Sequence, residues 1–475
     1  MFDPVWTALE ISQSLGMPVQ DFKACTGVQI DSRSIVPGDL FVALSGCETD
    51  GHNFVSNAFE SGAHAAIVSR LPSDLEQSDE RLIFVEDTGV ALNRLAHAAR
   101  ARASARCIAV TGSAGKTSVV QALRAALARA GEAHSSIKSF NNHVGVPVSL
   151  ARMHAQSEYG VFEVGMSAQG EIEPLAQLIK PDVCIITTIG AAHLKAFEDR
   201  EAIAREKASI FKGMSAGGTA IIGMQHAYSD LLCTLAKAHD LKVIKVGFDD
   251  QCDVRPVKVY EQATCSCLSI GLADRLITFK VNQPGPEWIL NAMMILTAVN
   301  AVKGDIAEAA LSLASLVPEK GRGRLHELMF ENGTVTLQDD SYNANPLSMR
   351  AALGRFARLT KETTQKSIAV LGDMAELGRN EEAEHLALVP YLKQTGFDLA
   401  LTVGDYMPKA SKEAGIETIS CKNVAEISDV LQTKLSGNEL IYVKGSNSTH
   451  LTRVVDDLIK LSRYEGHTTA LGQGA

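Results

Sequence analysis

The stretch 108–118 constrains the fold of this 475-residue chain more than any other. It reads Ile-Ala-Val-Thr-Gly-Ser-Ala-Gly-Lys-Thr-Ser, a short apolar run that leads into a glycine loop. Val120, Leu123 and Leu127 then recur at helical spacing until Gly131. A strand, a glycine loop and a helix in this order are typical of an α/β domain.

The same loop predicts a site for the phosphates of ATP. Its backbone N–H groups and the helix dipole attract an anion, Lys116 adds a positive charge, and the Thr117 hydroxyl can bind magnesium. We expect the nucleotide-binding residues to be Gly112, Ser113, Ala114, Gly115, Lys116, Thr117 and Ser118. The loop is a variant, because Val110 stands where the usual motif has its first glycine and Gly112 replaces it. A glycine-rich turn is the alternative, but a Lys-Thr pair has no purpose in a turn.

Length and composition narrow the class of protein. The chain is too long for one core, so we expect about three domains. The formal charge of −10 argues against nucleic acid as a partner. Nine cysteines without a zinc-like spacing suit a reducing cytosol. No signal peptide pattern or membrane-length apolar run is present, and we therefore expect a cytoplasmic protein without membrane insertion. We also expect a monomer.

The chain divides into three predicted domains, 1–103, 104–317 and 318–475. The first mixes short strands and helices, and the second begins with the phosphate loop. The third alternates predicted strands with helices, which indicates a parallel sheet. Those strands lie at 335–337, 368–371, 399–403 and 440–443. We predict a mixed α/β N-terminal domain, a central parallel-sheet ATP-binding domain and a C-terminal Rossmann-like, doubly wound domain.

Two polar residues accompany buried-type strands of the central segment. Glu163 interrupts the apolar run 161–165, where an unpaired charge is rarely accepted, so it needs a cation. His193 follows the apolar run 183–190. Because ligands lie beyond the carboxyl ends of parallel strands, we expect both to face the same crevice as Lys116. A hydrogen-bonded loop histidine is the alternative for His193.

Lys207 occupies an unusual helical position. With Ile203, Ile210 and Phe211 it lies on the apolar stripe of a predicted helix. One explanation is snorkelling, in which the stem is buried and the ammonium group reaches water. The other is that Lys207 points into the site, where it meets phosphate or is carbamylated and holds magnesium. The spacing does not separate the two.

Further polar residues interrupt the segments downstream. Asn291 lies in an almost wholly apolar helix and must be hydrogen-bonded. The run Lys-Gly-Arg-Gly-Arg at 320–324 indicates an interdomain hinge with cations aimed at phosphate, or else a solvated linker. Asp340 stands at a strand end without a capping role of its own.

The first segment carries two polar clusters, Asp-Ser-Arg at 31–33 and Asp-Gly-His-Asn-Phe at 50–54. Either is explained by ordinary turn and cap chemistry. Arg33 is the candidate for an anionic ligand.

Four strings together resemble the ATP-dependent Mur ligase family over nearly the whole chain. They are Thr-Gly-Ser-Ala-Gly-Lys-Thr at 111–117, Phe-Asn-Asn-His-Val-Gly-Val-Pro at 140–147, Asp-Ser-Tyr-Asn-Ala-Asn-Pro at 340–346 and Leu-Gly-Asp-Met-Ala-Glu-Leu-Gly at 371–378. The second and third are similar to the branch that joins D-alanyl-D-alanine to UDP-N-acetylmuramoyl-tripeptide in peptidoglycan precursor synthesis. The resemblance implies three domains and the use of ATP with two magnesium ions.

The resemblance also implies roles for individual residues. Thr117 and Glu163 would hold one magnesium, and His193 with carbamylated Lys207 would hold the second. The remaining contacts would come from Asn291 to the adenine region, Arg322 to the γ-phosphate, Asp340 to the ribose or a nearby phosphate, Asn142 to the nucleotide-peptide, and Ser32 and Arg33 to its UDP end. The residues implied in catalysis are Lys116, Glu163, His193, Lys207 and Arg322.

The implied chemistry fits these residue types. A peptide carboxylate attacks the γ-phosphate of ATP to give an acyl phosphate, and the amine of D-alanyl-D-alanine then displaces phosphate. Magnesium, Lys116 and an arginine would offset the repulsion between the two anions. No covalent enzyme intermediate is needed.

Other functions remain as alternatives. Within the ligases these are a diamino acid-adding Mur ligase and a folylpolyglutamate synthase-like ligase, and the Asn-Asn-x-x-Gly-Val-Pro string argues against both. From a different class come a phosphate-loop kinase and a nucleotide-switched binding module. Neither would need the Glu163, His193 and Lys207 set or a third, closing domain.

Overall fold

A computed structural model describes residues 4–46, 49–136, 139–191, 194–272 and 274–462. Three α/β domains follow one another along the chain, and each is built on its own sheet. The predicted three-domain α/β fold is therefore confirmed, while the predicted boundaries after residues 103 and 317 stay predictions. His193, a predicted metal ligand, lies outside the described residues.

The N-terminal domain has a four-stranded parallel sheet in the order β1-β2-β3-β4. Its strands are β1 (Gly27–Gln29), β2 (Asp39–Val42), β3 (Ala65–Val68) and β4 (Leu82–Phe84), and its helices are α1 (Ala8–Leu15), α2 (Val55–Glu60) and α3 (Thr88–Arg102). A capping box between Thr7 and Glu10 begins α1, and Gly16, in the left-handed region, ends it.

The central domain has a six-stranded parallel sheet and a smaller antiparallel one. The strands are β5 (Arg106–Thr111), β6 (Ala133–Ser135), β7 (Tyr159–Glu163), β8 (Val183–Ile186), β9 (Thr219–Gly223), β10 (Lys242–Val246), β11 (Pro256–Glu261), β12 (Ser266–Leu272) and β13 (Arg275–Val281). The helices are α4 (Lys116–Leu127), α5 (Gly145–Ala151), α6 (Ile172–Ile179), α7 (Arg200–Ala208), α8 (Ser229–Ala238), α9 (Pro286–Ala301) and α10 (Ile306–Ala314).

The strand order of the larger sheet places the phosphate loop. That order is β10-β9-β8-β5-β7-β6, so β5 lies between β7 and β8. The chain leaves β5 through α4 toward the β6 side and later crosses to β8 on the other side. The end of β5 is thus a topological switch point, where open α/β sheets bind ligands.

The C-terminal domain is doubly wound around a six-stranded sheet in the order β14-β15-β19-β16-β17-β18. Its strands are β14 (Arg324–Phe330), β15 (Gly333–Asp339), β16 (Lys366–Gly372), β17 (Leu399–Val403), β18 (Thr418–Cys421) and β19 (Glu439–Lys444), and its helices are α11 (Pro346–Leu359), α12 (Glu381–Leu386), α13 (Val389–Thr395), α14 (Met407–Glu413), α15 (Val424–Lys434) and α16 (Thr452–Leu461). Only β14 is antiparallel, and the sequence pattern missed it. Arg324, predicted to lie in the basic junction, is its first residue.

Two hydrogen bonds, one buried and one partly buried, join the first two domains. The Trp6 indole donates to the Ala151 carbonyl, 2.7 Å away, and Arg152 Nη1 donates to the Val28 carbonyl at 2.6 Å. Both contacts involve the end of α5. No helix in the described part of the chain has the length and apolar character needed to cross a bilayer.

Candidate active site

Gly112 is required by the close approach of two loops. A Cβ atom on this residue would lie 1.9 Å from Thr187 Oγ1, and its φ of +150° is also one that side chains disfavour. The Thr187 hydroxyl donates to the Ala114 carbonyl at 2.6 Å and so fixes the loop from the next strand. The glycine at position 112 therefore has a steric cause.

The loop presents a row of free donors. The N–H groups of residues 114–118 donate to no acceptor in the described ranges, and the first paired one is that of Val119, to the Gly115 carbonyl at 3.0 Å. They lie at the N-terminus of the twelve-residue helix α4. Free N–H groups and a helix dipole pointing the same way fit phosphate groups.

Lys116 is held inside the loop. Its Nζ donates to the Gly112 carbonyl at 2.8 Å. Burial lowers the pKa of Lys116, the Glu163 carboxylate raises it in part, and the Arg322 guanidinium lowers it further. Two mutually repelling cations therefore lie near the loop, and a bound anion would relieve their repulsion.

Glu163, at the end of β7, is almost wholly buried beside the loop, with 1% of its surface exposed. Thr117 Oγ1 and Asn141 Nδ2 each donate to this carboxylate at 2.6 Å. We predicted a cation as its partner, but its direct partners are neutral and Lys116 acts only through its charge. A carboxylate next to a threonine hydroxyl at a phosphate loop suits magnesium, which keeps waters and phosphate oxygens as its other ligands.

Lys207 lies in α7 with 1% of its surface exposed. Burial lowers its pKa well below the usual value, Lys116 lowers it further, and Glu206 opposes the shift. The snorkelling explanation is wrong, because the side chain does not reach water.

No cluster of three His, Cys, Asp or Glu side chains that suits a metal occurs within the described ranges.

A cavity of about 630 Å³ opens between the central and C-terminal domains. Its wall includes most of the predicted site residues: Ser113, Ala114, Gly115, Lys116, Thr117, Ser118, Asn142, Glu163, Asn291, Arg322 and Asp340. Gly112 and Lys207 do not line the cavity, and Ser32 and Arg33 belong to the N-terminal domain.

Asn291 and Asn142 reach the cavity in different ways. Asn291, in α9, is 8% exposed, and its amide lies about 3.5 Å from the position of a Cβ on Gly115. Within the described part of the chain its side chain has no hydrogen-bond partner, although we expected one. Asn142 accepts from the Gly145 N–H at 2.8 Å and so fixes the turn that leads into α5.

Arg322 reaches across from the domain junction. Its guanidinium stacks on the Tyr342 ring, 4.2 Å from the centroid, and Nη2 donates to Ser139 Oγ at 3.0 Å. Ser139 Oγ in turn lies 3.5 Å from Thr117 Oγ1. The guanidinium is thereby fixed beside the phosphate loop.

Asp340 belongs to a buried charged network. Lys444 Nζ lies 3.2 Å and the Tyr442 hydroxyl 3.3 Å from its Oδ2, with Arg355 Nη2 at 3.6 Å. Burial lowers the pKa of Lys444, and the Asp340 carboxylate raises it in part. Asn345 caps α11 and also donates from Nδ2 to the Ser113 carbonyl at 3.0 Å, which ties the C-terminal domain to the phosphate loop.

Three family models match the chain. The Mur ligase family catalytic domain matches residues 24–100, the Mur ligase middle domain residues 110–299, and the Mur ligase glutamate ligase domain residues 323–447. The UDP-N-acetylmuramoyl-tripeptide–D-alanyl-D-alanine ligase of Rickettsia prowazekii is 32% identical over 462 residues, 95% of this chain and 99% of that protein. The chain belongs to the Mur ligase family.

Two further comparisons also cover nearly the whole length of this Mur ligase. The ligase of the same name from Bacillus subtilis is 33% identical, with 95% of this chain and 96% of the relative covered. The crystal structure of MurF from Acinetobacter baumannii superposes with a TM-score of 0.80 at 27% identity, with 97% of this chain and 99% of that chain covered. The resemblance inferred from the four strings is thus confirmed.

Two predicted residues of the Mur ligase lie apart from the cavity. Arg33 is exposed and pairs with Asp31 at 2.7 Å, and Ser32 lies in the same turn. In the second polar cluster, Asp50 accepts from His52 Nδ1 and from Arg70, both at 2.6 Å, and the Arg70 hydrogen bond is the main cause that lowers the pKa of Asp50. The substrate-binding roles of Ser32 and Arg33 stay predictions.

Several site residues of the Mur ligase were missed. Asn141 lies within the string 140–147 and Ser139 directly precedes it, so adjacency to Asn142 was an available signal. Thr187 gave no such signal in the sequence, because its hydroxyl donates to a carbonyl 73 residues away. Arg355 gave none either, since its partner Glu287 is 68 residues distant.

Proposed function

We propose that this Mur ligase joins D-alanyl-D-alanine to UDP-N-acetylmuramoyl-tripeptide, with conversion of ATP to ADP and phosphate. The observation that carries the proposal is the row of free N–H groups at 114–118, directly beside the buried Glu163 carboxylate. Relatives that bear this activity in their names cover nearly the whole chain. The reaction belongs to peptidoglycan precursor synthesis.

ATP fits the cavity by the chemistry of its walls. The free N–H groups, Lys116 and Arg322 suit the phosphates. Asn291 suits the adenine region and Asp340 the ribose or a nearby phosphate. Thr117 and Glu163 would hold one magnesium ion, which supplies charge neutralisation between the reacting anions.

A second magnesium ion would involve His193 and Lys207. Support for a carbamylated Lys207 comes from its burial and its lowered pKa, because the neutral amine is the form that adds carbon dioxide. The addition forms an N–C bond, releases one proton and turns the side chain into an anion. A buried anion near Lys116 would remove the repulsion between two cations.

The reaction needs no nucleophile from the protein. The terminal carboxylate of the tripeptide forms a bond to the γ-phosphorus as ADP leaves, and the amine nitrogen then bonds to the acyl carbon as phosphate leaves. Lys116 and Arg322 are placed to offset charge on the transferred group. Asn142 would contact the nucleotide-peptide, and the N-terminal domain, with Ser32 and Arg33, would hold its UDP end.

We also infer a cytoplasmic location and a monomeric state. All eight cysteines within the described ranges are free, which suits a reducing compartment. Both substrates would be small molecules.

Phosphate release across candidate substrates tests the proposal. We expect turnover only when ATP, UDP-N-acetylmuramoyl-tripeptide and D-alanyl-D-alanine are all present, and none with the Lys116→Ala variant. Two further substrate pairs test the alternative ligases. The dipeptide precursor with a diamino acid tests for the diamino acid-adding ligase, and folate with glutamate tests for the folylpolyglutamate synthase-like ligase. Phosphate release that does not depend on D-alanyl-D-alanine would refute the proposed function and favour a kinase or switch.

A further inference from the structure

Arg355 forms a bridge between two domains at the wall of the cavity. It lies on α11 of the C-terminal domain, and its Nη1 pairs with the Glu287 carboxylate in the first turn of α9. Its Nη2 lies 3.6 Å from Asp340 Oδ2. The same Nη2 lies 3.6 Å from the position that a Cβ on Gly323 would take. One guanidinium therefore touches the central domain, the domain junction and the C-terminal domain.

The bridge belongs to a compact, charge-balanced set of two carboxylates, Glu287 and Asp340, and two cations, Arg355 and Lys444. Only 12% of the Arg355 side chain and 2% of that of Lys444 are exposed. Burial alone would lower the pKa of Arg355, but Glu287 and Asp340 together raise it, so the guanidinium stays charged. A buried charge whose partner is removed costs far more than an exposed one.

The charged set fixes only one of the two carboxylate oxygens of Asp340. Arg355, Lys444 and the Tyr442 hydroxyl all approach Oδ2. Within the described part of the chain, Oδ1 has no partner, and Asp340 lines the cavity. One oxygen is thus fixed by protein donors while the other remains available to a ligand.

We infer that Arg355 is a positioning residue for nucleotide binding: by bridging Glu287 and Asp340 across the two domains, it orients the free carboxylate oxygen of Asp340 toward the nucleotide. This inference rests on the proposed function, in which Asp340 contacts ATP. Lys444 cannot replace the bridge, because both of its partners, Asp340 and the Asn343 carbonyl at 2.8 Å, lie in the C-terminal domain.

Calorimetric titration with ADP, together with the KM for ATP, tests the inference. We expect Arg355→Met to raise the Kd for ADP and the KM for ATP about tenfold, the equivalent of one charged hydrogen bond of about 1.4 kcal/mol, with kcat changed less than about twofold. Arg358→Met is the matched control. It lies one turn further along α11, and its Nε and Nη2 have no hydrogen-bond partner in the described ranges. We expect it to change neither constant.

A double-mutant cycle separates positioning from general packing. Glu287→Gln keeps the side-chain shape and removes the charge, so we expect it to raise the Kd for ADP about threefold and to add nothing in the Arg355→Met background. If Arg355→Met does not fold, Glu287→Gln alone decides, and an unchanged Kd would overturn the inference. So would unchanged binding by Arg355→Met, equal weakening by Arg358→Met, or additive effects. A wild-type protein that binds no ADP would instead refute the proposed function.

Discussion

Replacing Gly112 with alanine should damage the phosphate loop through a defined collision. The new methyl group would lie 1.9 Å from Thr187 Oγ1 and 3.2 Å from the Thr187 Cβ and N atoms. The threonine must move, and its hydrogen bond to the Ala114 carbonyl breaks. Lys116 is disturbed as well, because it donates to the Gly112 carbonyl.

The loss of stability in Gly112→Ala has two contributions. Placing a side chain in a conformation that glycine favours costs about 1–3 kcal/mol. Loss of the Thr187 hydrogen bond costs about 1 kcal/mol more. The sum of about 2–4 kcal/mol corresponds to a fall in melting temperature of about 4–10 °C for a domain of about 200 residues. We expect the KM for ATP to rise at least about tenfold, because the free N–H groups turn away from one another.

Thermal unfolding and steady-state kinetics measure both effects, and two variants isolate the cause. Gly170→Ala introduces a methyl group at a φ of +87° with no atom within 4 Å, so it reports backbone strain without collision. Thr187→Ala in the Gly112→Ala background removes the closest contact and should restore part of the affinity for ATP. A Gly112→Ala protein with wild-type KM and melting temperature would refute the steric argument.

Three other perturbations probe separate parts of the account. Glu163→Gln keeps both hydrogen bonds by reversing one of them, so we expect it to fold normally and to lose turnover about 100-fold or more through the lost charge, and near-normal kcat would contradict this role. Lys207→Ala should abolish turnover, and added short carboxylic acids should restore part of it if a carbamate is the active form; full activity without rescue would exclude that role. Burial lowers the pKa of His134 to about 4 from 6.5, so the unfolded chain binds more protons between these values and the stability present above pH 6.5 should fall by about 3 kcal/mol toward pH 4. Urea unfolding at several pH values measures this for the half-buried His134, and a His134→Gln variant with the same pH dependence would contradict it.

Local sequence patterns predicted most of the fold and the residues at the centre of the site. The apolar runs before Gly112 and around Glu163 gave β5 and β7, and the rule for parallel sheets correctly placed Glu163 beside Lys116. Asn345 and Pro346 are a local signal of the same kind, because they supply the cap and the first position of α11. Patterns of this kind are visible because the forces involved act over a few residues.

The parts that sequence did not yield depend on long-range packing. The helical spacing around Lys207 did not show whether its ammonium group reaches water, because that depends on which other parts of the chain pack over α7. Strand β14 was missed because it pairs antiparallel at a sheet edge and has only one fully buried side chain, Leu328. The Glu287–Arg355 pair joins two domains, so neither residue carries a local signal of its partner.

We propose that one cavity activates a peptide carboxylate with the γ-phosphate of ATP and then forms an amide. An ¹⁸O-labelled tripeptide carboxylate tests it most directly, with mass spectrometry of the released phosphate after reaction with D-alanyl-D-alanine. We predict that each turnover transfers one labelled oxygen from the carboxylate to phosphate and yields UDP-N-acetylmuramoyl-pentapeptide. Amide product with unlabelled phosphate, or labelled peptide that is recovered unchanged while ATP is consumed, would contradict the account.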